Sequence, residues 1–431
     1  MISTSASKAG RYRMLEKREV YLLLMVILAT IMLLVQMHIM ENHATESSSS
    51  LFISKPTRID TGNVRKGNPI EIESMDANHG KRDCDKIVDS DEDADEDMKP
   101  ILRILCRSGY DISKNSTTVD RTILPKFGEI LNFYGPPKIL GLETCAIYRN
   151  KTKQKDRHVA PAGLFNTGTN LLQELISQNC YFKNGNKGNF GMEFEVPWGK
   201  HIPFTYRYNH TAHTGNNRYQ GMDPTKTLPV VMVRDPYTWM QSMCKQPYAA
   251  QYDHNKSSCP NIIPYPSDIE SHPRYGKMKY MPVNLKYDKP IRYKYESIAH
   301  LWNEWNLDYI KFQEDNKSMK SPTDFPFIVI RLEDLTFHAH TIIPKMCECA
   351  GGTVKRDGQV KFTPKIANRN HGVDVSSGTM SGLLRSVVKY GNITRRRDGY
   401  PDFQLQAAKE VLDPRLMDIL RYPYEDYQLA S

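Results

Sequence analysis

The run TLPVVMV, residues 227–233, carries no charged side chain and is mostly β-branched or apolar. That composition fits a strand buried on both faces, because a strand with one wet face would alternate apolar with polar. FPFIVIRLEDL, residues 325–335, has the same character. Between them YESIAHLWNEWNLDYIKF, residues 295–312, has apolar residues at helical spacing. Two earlier apolar runs, LGLETCAIY and HVAPAGLF, also alternate with helix-like segments. Strand, helix and strand in alternation predict a parallel sheet covered by helices. The expected fold is α/β: a P-loop-like, three-layer arrangement with a central parallel sheet flanked by helices, ligands lying at the carboxyl ends of the strands.

The N-terminal part reads differently. Residues 20–40 form an uncharged, apolar run long enough to cross a bilayer core as a helix. Lys8, Arg11, Arg13, Lys17 and Arg18 precede it and Glu41 follows, so the positive flank is expected in the cytosol and the bulk of the chain on the far side. The run is long for a cleaved signal peptide, and no small-x-small cleavage site follows it. The expected organisation is a cytoplasmic tail at 1–19, a signal anchor at 20–40, a largely disordered luminal stem at 41–120 and a catalytic domain at 121–431. The stem assignment rests on ESSSS and on the acidic run DSDEDADEDM, residues 89–98, which offers little to bury. Six N-glycosylation sequons, at Asn115, Asn150, Asn209, Asn255, Asn316 and Asn392, and eight cysteines all follow the anchor, which suits an oxidising lumen. Cys145 with Cys180 and Cys244 with Cys259 are the first pairs to test.

GLFNTGTNLL, residues 163–172, is a small, hydroxyl-rich loop between a strand and a helix. The free N–H groups and dipole at a helix start bind anions. Gly168 permits close approach, and Thr167 and Thr169 add hydroxyls. With no G-K-[ST] ending, nucleoside triphosphate hydrolysis is not expected. A capped helix without ligand, with Thr169 or Asn170 as the cap, is the plainer reading. In VVMVRDPYTWMQSM, Arg234 directly follows the buried strand and Ser242 lies eight positions on, in the next helix. An arginine fork and a serine two turns along a helix can converge on one phosphate. The net charge of +9 favours anionic ligands without identifying one.

In these motifs the chain resembles the sulfotransferases that use 3′-phosphoadenosine 5′-phosphosulfate as donor, in particular Golgi type II membrane carbohydrate sulfotransferases. FNTGTN is similar to the loop that holds the 5′-phosphosulfate, and Arg234, Asp235, Pro236 and Ser242 match the motif that holds the 3′-phosphate. VIRLEDL and LMDILRYPY look like later segments of the family, so the resemblance covers residues 155–428 or so. It implies cofactor contacts from Asn166, Thr167, Gly168, Thr169, Asn170, Arg234 and Ser242, sulfuryl transfer to a hydroxyl of a glycan or glycoprotein in the Golgi lumen, no metal and no nucleic-acid partner. One departure stands out: the family's loop lysine falls on Asn166. Lys200, Arg157 and Lys245 are the cations that could substitute.

The base that accepts the hydroxyl proton is sought in GMEFEVPWGKHIP, residues 191–203. His201, beside Lys200, is similar to the family's histidine; Glu193 and Glu195 are the carboxylate alternatives. The tryptophans are expected in the core, with an aromatic wall for a sugar or adenine as the other possibility. TRRRD, residues 394–398, is expected as a solvated loop or a contact for an anionic acceptor. The D-x-D spacings within 89–98 lie in a polar tract rather than at a strand end, and Cys347 and Cys349 lack a partner pair at ligand spacing, so no metal is expected. A Golgi glycosyltransferase, and a non-catalytic nucleotide- or glycan-binding protein that lost the loop lysine, remain the alternatives.

Overall fold

The computed structural model describes residues 83–116, 119–182, 192–207, 223–252, 259–287, 292–314, 325–355, 360–361 and 382–424. The chain divides into two compact units after residue 77, and every described residue lies in the second. The expected membrane span and the sequons at Asn209, Asn255 and Asn316 lie outside the described residues; among those, no helix is long and apolar enough to cross a membrane.

Nine strands are described: β1 Ile139–Leu140, β2 His158–Gly163, β3 Cys180–Tyr181, β4 Thr227–Val233, β5 Ala250–Tyr252, β6 Val283–Lys286, β7 Arg292–Tyr295, β8 Ile328–Arg331 and β9 Thr353–Val354. The central sheet has the order β1-β8-β4-β2. β2, β4 and β8 are parallel, and β1 closes one edge antiparallel. All of β4 is buried, as its composition predicts for a strand covered on both faces. Small antiparallel sheets, β5-β6-β7 and β3-β9, lie apart from it.

Two groups of helices cover the sheet. Pro236–Lys245 packs with Ile298–Glu314, which in turn meets Asp402–Val411 and Pro414–Leu420. Thr169–Asn179 and Thr144–Lys151 both pack on Ala339–Cys349. This α/β arrangement agrees with the expected class, with two local differences. LGLETCAIY holds only the last residue of β1 before the helix Thr144–Lys151, and in FPFIVIRLEDL the strand ends at Arg331 while LEDL opens the helix Leu332–Phe337.

Residues 83–116, expected as part of a largely disordered stem, are folded. Cys84–Asp89 and Lys99–Arg107 are helices joined by the Cys84–Cys106 disulfide, and Val88, Ile101, Leu102 and Leu105 are fully buried in the common core. Three carboxylates of the acidic run find basic partners downstream: Asp89 binds Arg103, Asp91 binds Arg121 at 2.6 Å and Asp93 binds Lys114 at 3.0 Å. Charge counting along 89–98 missed these partners because they lie up to 30 residues downstream.

Four disulfides are present. Cys244–Cys259 is as expected, but Cys145 joins Cys349 and Cys180 joins Cys347, not Cys145 with Cys180. Both cysteines of the C-E-C end of helix Ala339–Cys349 are therefore consumed in bridges, one to helix Thr144–Lys151 and one to β3. Among the described residues, no group of three or more His, Cys, Asp or Glu could hold a metal ion.

Candidate functional site

Parallel pairing aligns the carboxyl ends of the central strands. Gly163 pairs with Met232, and Val233 pairs with Arg331. The segments that leave this edge, 164–168 after β2 and Arg234–Asp235 after β4, hold most of the residues singled out above.

The loop 164–168 is drawn tight by its own backbone. Asn166 has φ 63° and Gly168 φ 87°. Asparagine and glycine are the residues that tolerate this region most readily. A Cβ on Gly168 would meet Leu332 Cδ1 at 2.6 Å, and one on Gly163 would meet the Met232 carbonyl at 2.8 Å. Gly168 is the N-cap of helix Thr169–Asn179 and offers no side-chain cap, in place of the Thr169 or Asn170 cap considered above. The Thr167 hydroxyl donates to the Leu164 carbonyl at 2.7 Å and is buried. Its single proton is thus spent on the loop rather than aimed at a ligand. Asn166 Nδ2 donates to the Gln246 carbonyl at 2.9 Å, outside the turn.

Arg234 lies against this loop. Its Nη1 donates to the Asn166 carbonyl at 2.9 Å, its Nε to Thr238 Oγ1 at 3.1 Å and its Nη2 to the Thr238 carbonyl at 2.8 Å. A guanidinium has five N–H donors, so these bonds leave two for a ligand. Asp235 caps helix Pro236–Lys245 through Thr238 N and binds buried Arg396 at 2.5 Å. Arg396 therefore belongs to the core, an exception within TRRRD, whose Thr394, Arg395 and Asp398 are exposed as expected of a solvated loop: Asp235 is fully buried and needs a buried counter-charge. Glu333 accepts from Asp235 N at 3.1 Å and from the Tyr422 hydroxyl at 2.8 Å. Burial, with Asp235 nearby, raises its pKa to about 7.

Ser242 Oγ faces a residue that the sequence did not single out. Lys389 Nζ lies 3.4 Å from it, on helix Gly382–Gly391, whose Tyr390 ring stands 5.1 Å from the Arg234 guanidinium. Arg234 and Ser242 thus face the same short stretch of that helix. Burial pushes the Lys389 pKa down to about 6, helped by Arg234, Lys245 and Arg385 and opposed by Glu333. Arg234, Lys245 and Arg385 act on Lys389 as like charges, and an anion bound beside it would relieve that repulsion. The only hint in the sequence is the spacing of Arg385 and Lys389, one helical turn apart; nothing there ties them to Ser242.

Lys200 and His201 run beside the end of β2. Gly163 N donates to the Lys200 carbonyl at 2.9 Å. His201 Nδ1 lies 2.6 Å from the Gly163 carbonyl, so Nδ1 carries a proton and, in the neutral tautomer, the lone pair is on Nε2. The His201 ring is 4.2 Å from Phe165, which stacks on Tyr248, an exposed side chain. Lys200 is buried, and its Nζ donates to Asn170 Oδ1 at 2.8 Å. Glu195 accepts from Lys200 N at 3.2 Å and so braces this turn.

Glu193 is not with them. Its carboxylate binds His158 Nδ1 at 2.9 Å, and His158 opens β2, at the opposite end of the strand from the loop. Arg157 is at that same far end, donating to Thr152 and Arg149 carbonyls. The residue spacing in 191–203 could not reveal this, because the chain runs alongside β2 from a bridge at Met192–Val159 to Lys200 at Gly163.

The tryptophans are buried, as expected, yet three of them also fix the site backbone. Trp239 donates to the Phe165 carbonyl at 2.7 Å, Trp302 to the Arg234 carbonyl at 3.0 Å and Trp305 to the His201 carbonyl at 2.9 Å. A buried indole N–H requires a partner, and here each partner is the main chain of the loop, the arginine or the histidine.

Compared with protein-family models, with curated proteins and with solved structures, the chain finds no match in any of the three.

Proposed function

We propose that this protein is a sulfotransferase that moves a sulfuryl group from 3′-phosphoadenosine 5′-phosphosulfate to a hydroxyl, on a glycan or glycoprotein acceptor in the Golgi lumen. The observation that carries this reading is the junction of two anion-binding features at one sheet edge: the uncapped helix start after the 163–168 loop, and the Arg234–Ser242–Lys389 cluster, tied to that loop through Asn166. One nucleotide with phosphates at both ends matches two such features better than a single-phosphate ligand does. Four disulfides fit an oxidising compartment.

In this reading the loop N–H groups take the 5′-phosphosulfate, and Arg234, Ser242 and Lys389 take the 3′-phosphate. His201 Nε2 receives the proton of the acceptor hydroxyl. The protein acts mainly by positioning and by stabilising charge, as in phosphoryl transfer.

The test uses the purified full chain, sulfur-labelled donor and a panel of glycans, with and without chelator. Label transferred in the presence of chelator is expected. Binding of adenosine 3′,5′-bisphosphate without transfer to any acceptor would favour a non-catalytic binding protein, and dependence on Mn²⁺ with a nucleotide sugar would favour a glycosyltransferase.

A further inference from the structure

Sulfuryl transfer sets a requirement that the 163–170 loop cannot meet alone. The acceptor oxygen forms a bond to sulfur as its proton passes to the base. The bond between sulfur and the bridging oxygen breaks, and its electron pair stays on the 5′-phosphate. Negative charge develops at that bridging oxygen, where a fixed cation lowers the barrier. The loop contains no cation. Asn166 is neutral, and its amide is turned to the Gln246 carbonyl.

We propose, building on the sulfuryl-transfer reading, that Lys200 is the cation that neutralises the leaving 5′-phosphate oxygen, supplied from outside the loop. Of the three substitutes the sequence offers, Arg157 is held at the far end of β2 and Lys245 belongs to the cluster around Lys389. Lys200 alone among them touches the first turn of the loop helix, through Asn170. Its ammonium has three N–H donors, and this bond uses one. The backbone is clamped on both sides: the Lys200 carbonyl accepts from Gly163, its N–H donates to Glu195, and the next residue is tied to Gly163 through His201. The ring of Phe194 lies 3.3 Å from Nζ, and Lys200 itself is only 4 % exposed, so its charge acts in a water-poor setting where it counts for more. Burial holds the Lys200 pKa down to about 8, opposed by Glu195. An anion beside it restores full protonation.

The experiment compares wild-type full chain with Lys200→Gln, Lys200→Arg and the double variant Asn166→Lys/Lys200→Gln. Glutamine keeps a donor for Asn170 but removes the charge. At saturating donor, Lys200→Gln should slow transfer by about 10²- to 10³-fold, the size of loss seen on removing one charge-stabilising group. Its affinity for adenosine 3′,5′-bisphosphate should weaken by no more than about tenfold, one charge-assisted bond's worth. Lys200→Arg should retain part of the rate, and Asn166→Lys should restore at least tenfold of what glutamine lost, a rescue that a merely structural role for Lys200 would not produce. If wild type transfers sulfuryl and Lys200→Gln keeps its rate within about threefold, Lys200 is not the cation, whatever the fate of the wider reading. If Lys200→Gln melts early, Lys200→Arg and the double variant decide: failure of both to exceed Lys200→Gln overturns the inference. Wild type that neither binds the bisphosphate nor transfers would overturn the sulfuryl-transfer reading itself.

Discussion

Arg234 Nη1 donates to the carbonyl oxygen of Asn166 at 2.9 Å, joining the segment after β4 to the loop after β2 across 68 residues of sequence. One guanidinium therefore braces the loop and presents its remaining donors beside it. Arg234→Ala should weaken binding of adenosine 3′,5′-bisphosphate by about 10- to 100-fold, the value of one or two charge-assisted hydrogen bonds. Arg234→Lys should fall between, since an ammonium cannot reproduce the fork. Calorimetric titration, with a thermal melt to separate folding from binding, measures this. Unchanged affinity in a folded Arg234→Ala protein would sink the nucleotide site.

Lys389 makes that binding depend on pH. Held down to about 6 by burial and by Arg234, Lys245 and Arg385, it is largely neutral at pH 7.5 in the free protein. A phosphate beside Ser242 raises it again, so binding takes up a proton. Affinity should then decline as pH rises above about 6, by at most roughly tenfold per unit for one coupled proton. Proton uptake is read from binding enthalpies in buffers of different ionisation heat. Lys389→Met should remove one proton of that uptake, and an undiminished uptake in the variant would exclude the coupling. Stability has the opposite slope: between about 6 and the ordinary lysine value of 10.5 the unfolded chain holds a proton that the folded chain has released, so stability rises with pH across that window.

His201 is fixed through Nδ1 on Gly163 and through its carbonyl, which accepts from Trp305 and from the Tyr287 hydroxyl at 2.8 Å. If Nε2 receives the acceptor proton, His201→Ala should lower kcat by about 10²- to 10⁴-fold, the usual range for a lost general base. Bisphosphate affinity should change little, because the ring touches no nucleotide in this scheme. A rapid-quench assay at saturating donor and acceptor gives kcat, and a rate close to wild type would shift the role away from His201.

Residues 83–116 support the site from behind. Helix Lys99–Arg107 packs on Gly382–Gly391, and Leu384 N donates to the Tyr110 hydroxyl at 3.4 Å. A fragment beginning at residue 121 should therefore melt lower and bind the bisphosphate more weakly than one beginning at residue 83. It discards the Cys84–Cys106 bridge and the buried Ile101, Leu102 and Leu105. Large apolar side chains lost from a core cost about 2–5 kcal/mol each. Differential scanning calorimetry of the two fragments decides it; equal melting temperatures would show that the segment is dispensable.

Local sequence dictated the α/β class, the buried strand 227–233, a helix within 295–312 that the structure places at Ile298–Glu314, the strand–loop–helix character of 163–172 and the position of Arg234 after its strand. These rest on interactions between near neighbours: side-chain periodicity, β-branching, and the special backbone freedom of glycine and asparagine. The tertiary structure decided what depends on distant partners. It sent Glu193 to His158, buried Arg396 against Asp235, folded the acidic run onto downstream arginine and lysine, chose the cysteine pairs, and brought Lys389 to Ser242 across 147 residues. A charge or thiol in a chain carries no label for its counterpart, because Coulomb attraction and bridge formation depend on separation in space. Only the packing of helices on the sheet sets that separation.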